Sequence, residues 1–320
     1  MKIYSKNDLI SYIKNPKLMD YLEEGLILSA QGKVLEAPWS GLYFPKSDGE
    51  VHVKSAAILD GNFYVVKIAS GFFQNPSQGL SSSNGLVLLF NQKTGELLSI
   101  FLDEGLLTDI RTALAGAIAA KYLAPHPVNC IGILGTGVQA KEQLKYLSWV
   151  TPCRNVCVWG RNPNNVHAFL QDPELQIFSI SAKPTVRDIA STCDLIVSTT
   201  PSREALIMGD WLQSPTHITA IGADGKDKQE LDRSVFEKAD LIIVDHKNQC
   251  RALGDLQHAR QQDADRAQEL GTWIHKKSRR MTQWISVADL TGVGVEDLAV
   301  ATALYTWLQI PHISTKPARE

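Results

Sequence analysis

A short glycine-containing segment in the middle of the chain has the residue types and spacing of a dinucleotide-binding motif. It reads Gly135-Thr136-Gly137-Val138-Gln139-Ala140. The segment follows an apolar run and opens a helical pattern, which is the context that makes a G-x-G-x-x-G/A motif informative. Gly135 permits a tight turn, Gly137 lets the backbone approach a pyrophosphate, and Ala140 lets the helix pack close to the strand. The N–H groups at the helix N-terminus are then expected to bind the phosphates. The alternative is a glycine turn in an α/β protein that binds no nucleotide.

The end of the second strand of this unit favours NADP(H) over NAD(H). An NAD site usually has an Asp or Glu about 20 residues beyond the motif, which accepts a hydrogen bond from the ribose 2′-OH. Here the strand leads into Gly160-Arg161-Asn162, which has no carboxylate. Arg161 can pair with a 2′-phosphate, although it can also be a surface arginine that begins the next helix, and NAD(H) stays possible. Residues after a later strand are expected to line the cofactor without acting in the chemistry: Thr199, Thr200, Pro201 and Ser202.

The elements that must position this site alternate between short apolar runs and longer helical patterns. That alternation predicts βαβ units and a Rossmann doubly wound parallel sheet. Strands are expected at residues 130–134, 156–159, 194–200, 217–222 and 240–245, and helices around 140–147 and 164–170. Each strand ends in small or polar residues, at the edge where such a sheet binds its ligand.

The first 125 or so residues have a different pattern. A helical pattern extends to about residue 31, and β-type segments follow at 51–59, 62–68, 86–91 and 97–102. Asp60-Gly61 and Thr94-Gly95 are typical of hairpin turns, which predicts a mostly antiparallel sheet. An Ala-rich helix at 108–123 then leads through Pro125 and Pro127 into the first Rossmann strand. The boundaries follow: residues 1–126 and 297–320 form an α+β domain, and residues 127–296 form the dinucleotide-binding domain.

Composition excludes several classes of protein. The 320 residues carry a formal net charge of −2, which gives no basic field for nucleic acid. No run approaches the roughly 18 apolar residues of a membrane span. The first residues lack the apolar core of a secretory signal, so a cytoplasmic location is expected. The five cysteines lack a paired metal-type spacing and are expected to be buried thiols, with no metal site.

With these motifs assembled, the chain resembles the ornithine cyclodeaminase/μ-crystallin family. The matching segments occur in the family's order over nearly the whole chain, at residues 66–68, 82–90, 107–113, 135–140, 158–161, 200–204, 221–224, 228–232 and 294–299. The resemblance implies an NAD(P)-dependent oxidoreductase that acts on C–N bonds of small amino or imino acids. It also implies a homodimer whose first domain carries substrate-binding groups and the subunit contact.

The resemblance further implies roles for individual residues. Lys67 and Arg111 are expected to bind the substrate carboxylate, and Lys67 and Asp224 to act in catalysis, with Asp224 facing the reacting nitrogen. Ser82 occupies a position where relatives often carry Thr beside the nicotinamide, and Ser82 and Arg111 are therefore expected to contact the cofactor as well as the substrate.

The residues themselves support these assignments. Lys67 lies within an apolar strand, where an unpaired charge is costly. Arg111 lies in the predicted first turn of the Ala-rich helix, where a cation opposes the helix dipole. A bound carboxylate would relieve both costs, and pairing with a structural acid is the alternative. Asp224 follows a strand end, where ligands gather, although aspartate is also common in turns.

The sequence departs from the family in two places. Many relatives carry a carboxylate-binding arginine in an early strand, whereas this chain reads Ala37-Pro38-Trp39-Ser40 there. His52 and Lys54 alternate onto one strand face nearby, so Lys54 is expected to replace the missing contact unless both are ordinary exposed residues. The usual Pro-Gly before Lys228 is replaced by Lys226-Asp227.

These observations predict reduction of a cyclic imino acid, with Δ1-pyrroline-2-carboxylate to proline as the first candidate. A carboxylate beside the imine nitrogen stabilises the protonated form that accepts hydride. Ornithine cyclodeamination with bound NAD is the enzymatic alternative. A non-catalytic NADPH-dependent binding protein of the μ-crystallin type is the alternative from another class.

Overall fold

The computed structural model describes residues 1–38, 40–278 and 282–310. The amino-terminal part forms a seven-stranded sheet and three helices. Its strands are β1 (Lys2–Ser5), β2 (Val34–Glu36), β3 (Ser40–Phe44), β4 (Gly49–Ile58), β5 (Phe63–Phe72), β6 (Ser83–Asn91) and β7 (Leu97–Leu102). Its helices are α1 (Lys6–Leu9), α2 (Lys17–Ala30) and α3 (Leu106–Leu123). The strand order is β1-β7-β6-β5-β4-β2, with β3 also paired to β4.

This first sheet is antiparallel except at its edge, as the hairpin signals predict. The turns at Asp60-Gly61 and Thr94-Gly95 connect β4 to β5 and β6 to β7, and both Asp60 and Gly95 adopt positive φ. Residues 2–5 were expected within a helical region, but they form β1, which pairs in parallel with β7. Its four residues carry little local signal, and the pairing with a distant strand determines their conformation.

The remainder of the chain forms an eight-stranded parallel sheet. Its strands are β8 (Ile131–Leu134), β9 (Asn155–Trp159), β10 (Ser179–Ala182), β11 (Leu195–Ser198), β13 (Thr216–Ala220), β15 (Leu241–Val244), β16 (Gln268–Glu269) and β17 (Ile285–Asp289). β12 (Arg203–Ile207) and β14 (Gln229–Leu231) form a separate pair. The helices are α4 (Val138–Leu147), α5 (Pro163–Leu170), α6 (Val186–Thr192), α7 (Arg233–Lys238), α8 (Lys247–Leu253), α9 (Gln261–Asp265), α10 (Leu270–His275) and α11 (Gly294–Gln309).

The order of this second sheet, β10-β9-β8-β11-β13-β17-β15-β16, confirms the doubly wound α/β fold. The chain moves outward from β8 through β9 to β10 and then returns to β11 on the other side of β8. The switch point between β8 and β11 therefore lies beside the glycine motif, and ligands bind outside the carboxyl ends of strands at such a point. The strands 131–134, 195–198 and 241–244 are buried throughout, as expected for a parallel sheet covered on both faces.

The last described helix, α11, returns to the first sheet. It packs against β4, β5 and β6 as well as against α2 and α3. Its side chains join those of α2, α3 and the inner face of the first sheet in one apolar core. Among the described residues, no helix combines the length and apolar character needed to cross a membrane.

Candidate active site between the two sheets

A cavity of about 210 Å³ lies between the inner face of the first sheet and the carboxyl ends of the second sheet's strands. The first sheet contributes His52, Lys54 and Lys67 to its wall, and α3 contributes Arg111. The first turn of α4 and the loops that follow β11 and β13 contribute the opposite side, including Asp224. The fold thus gathers Lys54, Lys67, Arg111 and Asp224, which are distant in sequence, around one space.

Strand register explains why two lysines share this wall. Lys54 of β4 and Lys67 of β5 are direct cross-strand partners in the antiparallel pair. His52 and Lys54 lie two residues apart on β4, so both face the cavity, as the alternation in the sequence predicted. Lys67 is 1% exposed and Lys54 is 9% exposed, so their charges must be compensated within the protein or by a ligand.

Lys67 and Arg111 share a pair of buried acids from α11. Asp297 accepts both cations, with Oδ2 at 3.1 Å from Lys67 Nζ and Oδ1 at 3.3 Å from Arg111 Nε. Arg111 Nη1 also donates to Glu296 Oε2 at 2.9 Å. The alternative that the sequence left open, pairing with a structural acid, is therefore present for both cations, and both still face the cavity. The family-like segment at residues 294–299 contained the two acids, but their spacing alone does not reveal which cations they meet.

Glu296 and Asp297 reach these cations because of their position at the start of α11. Glu296 and Asp297 lie in the first turn of α11, where negative charge is favoured by the helix dipole. Gly292, just before this helix, adopts φ +75, and a Cβ at that position would lie 2.2 Å from Arg111 Nη1. Glycine is thus required to let the guanidinium reach α11. Arg111 itself lies in the second turn of α3 rather than the first, because the helix begins at Leu106.

Lys54 differs from the other two cations because carbonyl oxygens alone hold it. Its Nζ donates to Gly292 O at 2.6 Å and to Thr291 O at 3.2 Å. Within the described part of the chain no carboxylate lies within 4 Å of this ammonium group. Carbonyl dipoles compensate a full charge only in part, so the inner end of the cavity can accept one anion.

Burial and neighbouring charges shift the pKa values of Lys67, Arg111 and Glu296. Burial, together with the neighbouring Arg111, lowers the pKa of Lys67 to about 7. Burial likewise raises the pKa of Glu296 to about 7. Burial would lower the pKa of Arg111, but Asp297 and Glu296 outweigh it and raise that pKa. A proton can therefore enter or leave this network near neutral pH.

Asp224 lies at the other side of the cavity in a second group of charges. Its Oδ1 accepts a hydrogen bond from Lys228 Nζ at 2.6 Å, and Lys228 also donates to Glu50 Oε1 at 2.9 Å. Burial alone would raise the pKa of Asp224, but Lys228 and His52 outweigh it and hold that pKa well below its usual range. Asp224 is therefore a carboxylate at neutral pH, with its side chain about one-third exposed. Sequence reasoning gave no role to Glu50 or to the Lys228 side chain.

Glu230 is a further residue that the sequence did not single out. It is fully buried and accepts hydrogen bonds from Ser198 Oγ, from the N–H and hydroxyl of Thr200, and from Gly222 N–H, at 2.5 to 2.7 Å. These bonds connect the loop after β11 to the loop after β13. Both loops line the cavity, so Glu230 is the residue that fixes their relative position.

The glycine motif has the geometry needed to hold a dinucleotide. Gly135 adopts φ +111, and a Cβ there would lie 2.6 Å from Thr199 Oγ1. At Gly137 a Cβ would meet no protein atom within 4 Å, so the surface above it is open. Gly137 caps α4 without a side-chain hydrogen bond, which leaves the first N–H groups of the helix available to a phosphate. Ala140 is completely buried against the sheet. These residues therefore fit a pyrophosphate.

The other predicted cofactor residues surround this loop. Gly160 approaches Thr136 so closely that a Cβ there would lie 2.8 Å from Thr136 Cγ2. Arg161 is exposed, and Asn162 caps α5 by accepting a hydrogen bond from Asn164 N–H. The predicted residues that line the cavity itself are Gln139, Thr199, Thr200 and Pro201, whereas Val138 is an exposed residue of α4 and Ser202 lies outside the lining.

Ser82 is not brought to the cavity wall. Its carbonyl accepts a hydrogen bond from Phe72 N–H at 2.8 Å, and the neighbouring residues Ser83 and Asn84 line the cavity in its place. Ser82 therefore lies outside this lining, and its expected contact with substrate or cofactor stays a prediction.

The comparisons with known proteins agree with this geometry. The family model described as "Ornithine cyclodeaminase/mu-crystallin family" matches residues 3–309. The chain belongs to the ornithine cyclodeaminase/mu-crystallin family. Among its relatives is an uncharacterized cyclodeaminase, y4tK, of Sinorhizobium fredii, which is 39% identical over 87% of this chain and 86% of the relative.

Solved structures of this family have the same fold. Δ1-pyrroline-2-carboxylate reductase of Thermococcus litoralis, in complex with NADH and L-proline, superposes with a TM-score of 0.88 at 26% identity, covering 96% of this chain and 97% of that one. An archaeal alanine dehydrogenase dimer with bound NAD superposes with a TM-score of 0.85 at 31% identity, covering 95% and 94%. The second sheet of this chain therefore has the architecture of nicotinamide-dinucleotide-binding relatives.

Proposed function

We propose that this protein is an NAD(P)H-dependent reductase of cyclic imino acids, with Δ1-pyrroline-2-carboxylate as the first candidate substrate and proline as its product. One observation carries the proposal. A cavity that can accept one anion at Lys54 also exposes the ionised carboxylate of Asp224. A cyclic imino acid carries both complementary groups, a carboxylate and a nitrogen that becomes cationic when it is protonated.

The inner end of the cavity binds the carboxylate. Lys54 supplies a cation that contacts no acid within 4 Å among the described residues, while Lys67 and Arg111 stay oriented by Asp297 and Glu296. Two donors beside Lys54 restrict how the ring can rotate, and orientation of this kind contributes up to roughly 7–11 kcal/mol to catalysis in the best-aligned reactions. Lys67, with a pKa of about 7, takes up a proton when the anion binds near neutral pH.

Asp224 acts on the nitrogen. Its carboxylate stabilises the protonated imine, which accepts hydride more readily than the neutral imine. When bound at the glycine motif, the reduced nicotinamide supplies the hydride. The imine carbon gains that hydride, the C=N bond becomes a C–N bond, and the nitrogen keeps its proton. Lys228 and Glu50 hold Asp224 in place and keep it ionised.

We assign a preference for NADP(H) to Arg161. Arg161 is exposed and follows β9, at the strand end where the ribose of the cofactor is expected. The segment Gly160-Arg161-Asn162 contains no acid. A charge-assisted hydrogen bond contributes about 1.5–3 kcal/mol. The variant Arg161→Ser should therefore raise the KM for NADPH by roughly 10- to 100-fold and leave the KM for NADH unchanged. Arg187→Ser, an exposed arginine on α6, is the matched control; equal effects on both cofactors would contradict the assignment.

The cyclodeaminase reaction is the second candidate, and the relative y4tK favours it. Ornithine carries a second ammonium group, which needs an acid besides the Asp224 that faces the reacting nitrogen. Glu50, the other cavity acid that contacts Lys228, already accepts a hydrogen bond from it. A cyclic imino acid has no second ammonium group, so this charge arrangement favours the reductase. A binding protein without turnover would not need Asp224 in its ionised form.

One assay separates these functions. With Δ1-pyrroline-2-carboxylate, a reductase consumes NADPH stoichiometrically, which is measured by the fall in its absorbance. With ornithine, a cyclodeaminase releases ammonia without a net change in that absorbance. Turnover of ornithine alone would overturn the proposal, and binding of NADPH with no turnover of five- or six-membered ketimines, ornithine, lysine or alanine would favour a binding protein.

We further propose that the protein is a homodimer formed through the outer face of the first sheet. Strand alternation turns an apolar set of side chains away from the core, namely Tyr64, Val66, Ile68, Leu86, Leu88, Phe90, Ile100 and Leu102. All of them are partly or fully exposed, and an uncovered apolar sheet face of this extent is typical of an interface. The archaeal alanine dehydrogenase dimer supports this assembly.

A further inference from the structure

Three of the five cysteines meet near the amino-terminal ends of strands in the second sheet. Sγ of Cys130 lies 3.2 Å from Sγ of Cys193 and 3.6 Å from Sγ of Cys157, and all three sulfurs lie within 4.8 Å of one another. All five cysteines lie within the described residues, and each is a free thiol. We call Cys130, Cys157 and Cys193 the thiol cluster. It lies at the end of the sheet opposite the glycine motif, so the proposed reductase does not use it.

Strand order explains why these residues converge. β8 lies between β9 and β11. Cys130 immediately precedes β8, Cys157 lies on β9, and Cys193 ends α6 just before β11. The Cys130 thiol, at the central strand of the three, therefore contacts Cys157 on one side and Cys193 on the other. Backbone pairing between neighbouring strands, rather than chance contact of long side chains, sets the distances.

The local structure leaves room for the sulfurs. A Cβ on Gly132 of β8 would lie 3.2 Å from Cys193 Sγ and 2.4 Å from a methyl carbon of Ile189, so only glycine fits there without rearrangement. The carboxylate of Asp194 accepts the N–H of Cys130 at 3.1 Å, which fixes the backbone of the central cysteine. The position of Cys130 is therefore held from two directions, by the strand and by this bond.

The cluster is buried but accessible. Cys157 and Cys193 are 5% and 3% exposed, whereas Cys130 is only partly buried and opens the cluster to solvent. Ser181 of β10 places its Oγ 3.7 Å from Cys157 Sγ. A small ion can thus reach three sulfurs through Cys130, with a hydroxyl group beside them.

We propose that the thiol cluster is a binding site for a thiophilic metal ion of the Cu(I), Zn(II) and Cd(II) class, with three thiolate ligands. Thiolates select such soft ions over oxygen-seeking ones. Metal–sulfur bonds of about 2.3 Å place the sulfurs of a tetrahedral site about 3.8 Å apart, so Cys130 Sγ would move about 0.6 Å farther from Cys193 Sγ and about 0.2 Å farther from Cys157 Sγ. Each thiol exchanges its proton for a bond to the ion, and no electron is transferred. A fourth position remains for water or the Ser181 hydroxyl.

Binding at this site connects three neighbouring strands, because the ligands are the residue before β8, a residue of β9 and the residue that ends α6 before β11. An ion that binds the folded chain preferentially raises its thermal stability in proportion to the logarithm of ion concentration over Kd. Cd²⁺ is a suitable probe, since its bonds to thiolates give an ultraviolet charge-transfer band. The experiment titrates the reduced full-length protein with Cd²⁺ and measures that band, the bound metal after desalting, and the melting temperature.

The variants Cys130→Ser and Cys193→Ser test the ligands, and Cys153→Ser is the matched control because it removes a buried cysteine outside the cluster. The proposal expects one Cd²⁺ per chain and a rise in melting temperature for the wild type and Cys153→Ser. Both effects should be lost in Cys130→Ser and in Cys193→Ser, whose metal-free circular dichroism melts establish that they fold. Binding that survives in both ligand variants, or that Cys153→Ser abolishes, would overturn the proposal, as would a wild type that retains no stoichiometric metal.

Discussion

At the scale of single residues, the cavity is defined by how each charge is compensated. Lys67 and Arg111 are paired with Asp297 and Glu296, whereas Lys54 is held by backbone carbonyls. Removing one partner of a buried ion pair costs about 3–5 kcal/mol, because the remaining charge is left uncompensated. The acids of α11 therefore hold two basic side chains in place, and in the proposed function Lys54 provides the charge that a substrate carboxylate meets.

The role of Asp224 leads to a first prediction. Replacement of Asp224 by Asn removes the charge that stabilises the protonated imine, and kcat should fall by roughly 10²- to 10³-fold. The Kd for NADPH should not change, because Asp224 lies away from the glycine motif. Asp227→Asn, an exposed aspartate in the same loop, is the control and should keep full activity. An Asp224→Asn enzyme with normal kcat would exclude this role.

The ionisation of Lys67 leads to a second prediction. Burial and Arg111 lower its pKa to about 7, and a bound carboxylate favours the charged form. Binding of the product proline should therefore take up a proton above pH 7, and its Kd should rise by up to roughly tenfold per pH unit in that range. Calorimetric titration in buffers of different ionisation enthalpy measures both the affinity and the proton uptake.

A neutral variant separates Lys67 from Glu296, whose pKa is also about 7. Lys67→Met should bind proline weakly and with little pH dependence, since Arg111 still compensates Asp297. If the pH dependence persists unchanged in Lys67→Met, the proton belongs to Glu296 and the assignment to Lys67 is wrong.

At the scale of elements, the sequence predicted most of the longer strands, including β4 and β13, which contain polar residues, and missed several short ones. β8, β11 and β15 fall within the expected ranges, and β7 coincides with residues 97–102. β17 was not expected; its Ser286 hydroxyl donates to Leu123 O and bonds His217, partners that only the fold supplies. Likewise, the ion pairs of Lys67 and Arg111 join residues about 190 to 230 positions apart, which no local pattern reveals.

The loop between β8 and α4 allows a matched pair of glycine variants. Gly137→Ala places a methyl group above the open surface, so it should lower the affinity for NADPH at least tenfold, about 1.4 kcal/mol, and leave the melting temperature unchanged. Gly135→Ala instead forces a side chain into a positive φ and toward Thr199 Oγ1, which should cost about 1–3 kcal/mol of folding free energy. Fluorescence titration with NADPH and thermal melts of both variants test this difference. A Gly137→Ala protein that binds NADPH normally would show that the pyrophosphate does not lie over this glycine.

At the scale of the whole molecule, part of the inner face of the first sheet lines the cavity with polar side chains, and the outer face carries the apolar side chains through which we propose that two copies meet. Neighbouring residues Lys67 and Ile68 illustrate this division, since Lys67 is 1% exposed in the cavity wall and Ile68 is 38% exposed on the outer face. The domain boundaries expected from the sequence remain a proposal, and α11 packs on the first sheet in agreement with them. The alternation of side chains along the strands predicts that the sheet has two different faces, but it does not show which face contacts a second copy of the chain.

The dimer proposal predicts that Ile68→Glu gives a monomer, because burying an unpaired carboxylate in an apolar interface is strongly unfavourable. Size-exclusion chromatography with light scattering measures the mass. Ile177→Glu, which changes a 61% exposed isoleucine in the other half of the chain, should remain dimeric. A wild type that is monomeric, or an Ile68→Glu variant that stays dimeric, would place the interface elsewhere.

The proposed function requires that this chain transfers hydride to the α-carbon of a cyclic imino acid, with Asp224 beside the nitrogen. The most direct measurement uses NADPH deuterated at the transferable position of nicotinamide C4, together with Δ1-pyrroline-2-carboxylate, and determines the mass of the proline formed. The account predicts proline with one deuterium at its α-carbon, formed in step with NADPH oxidation and almost absent with Asp224→Asn. Unlabelled proline formed from ornithine with release of ammonia, and no product from the imino acid, would contradict it.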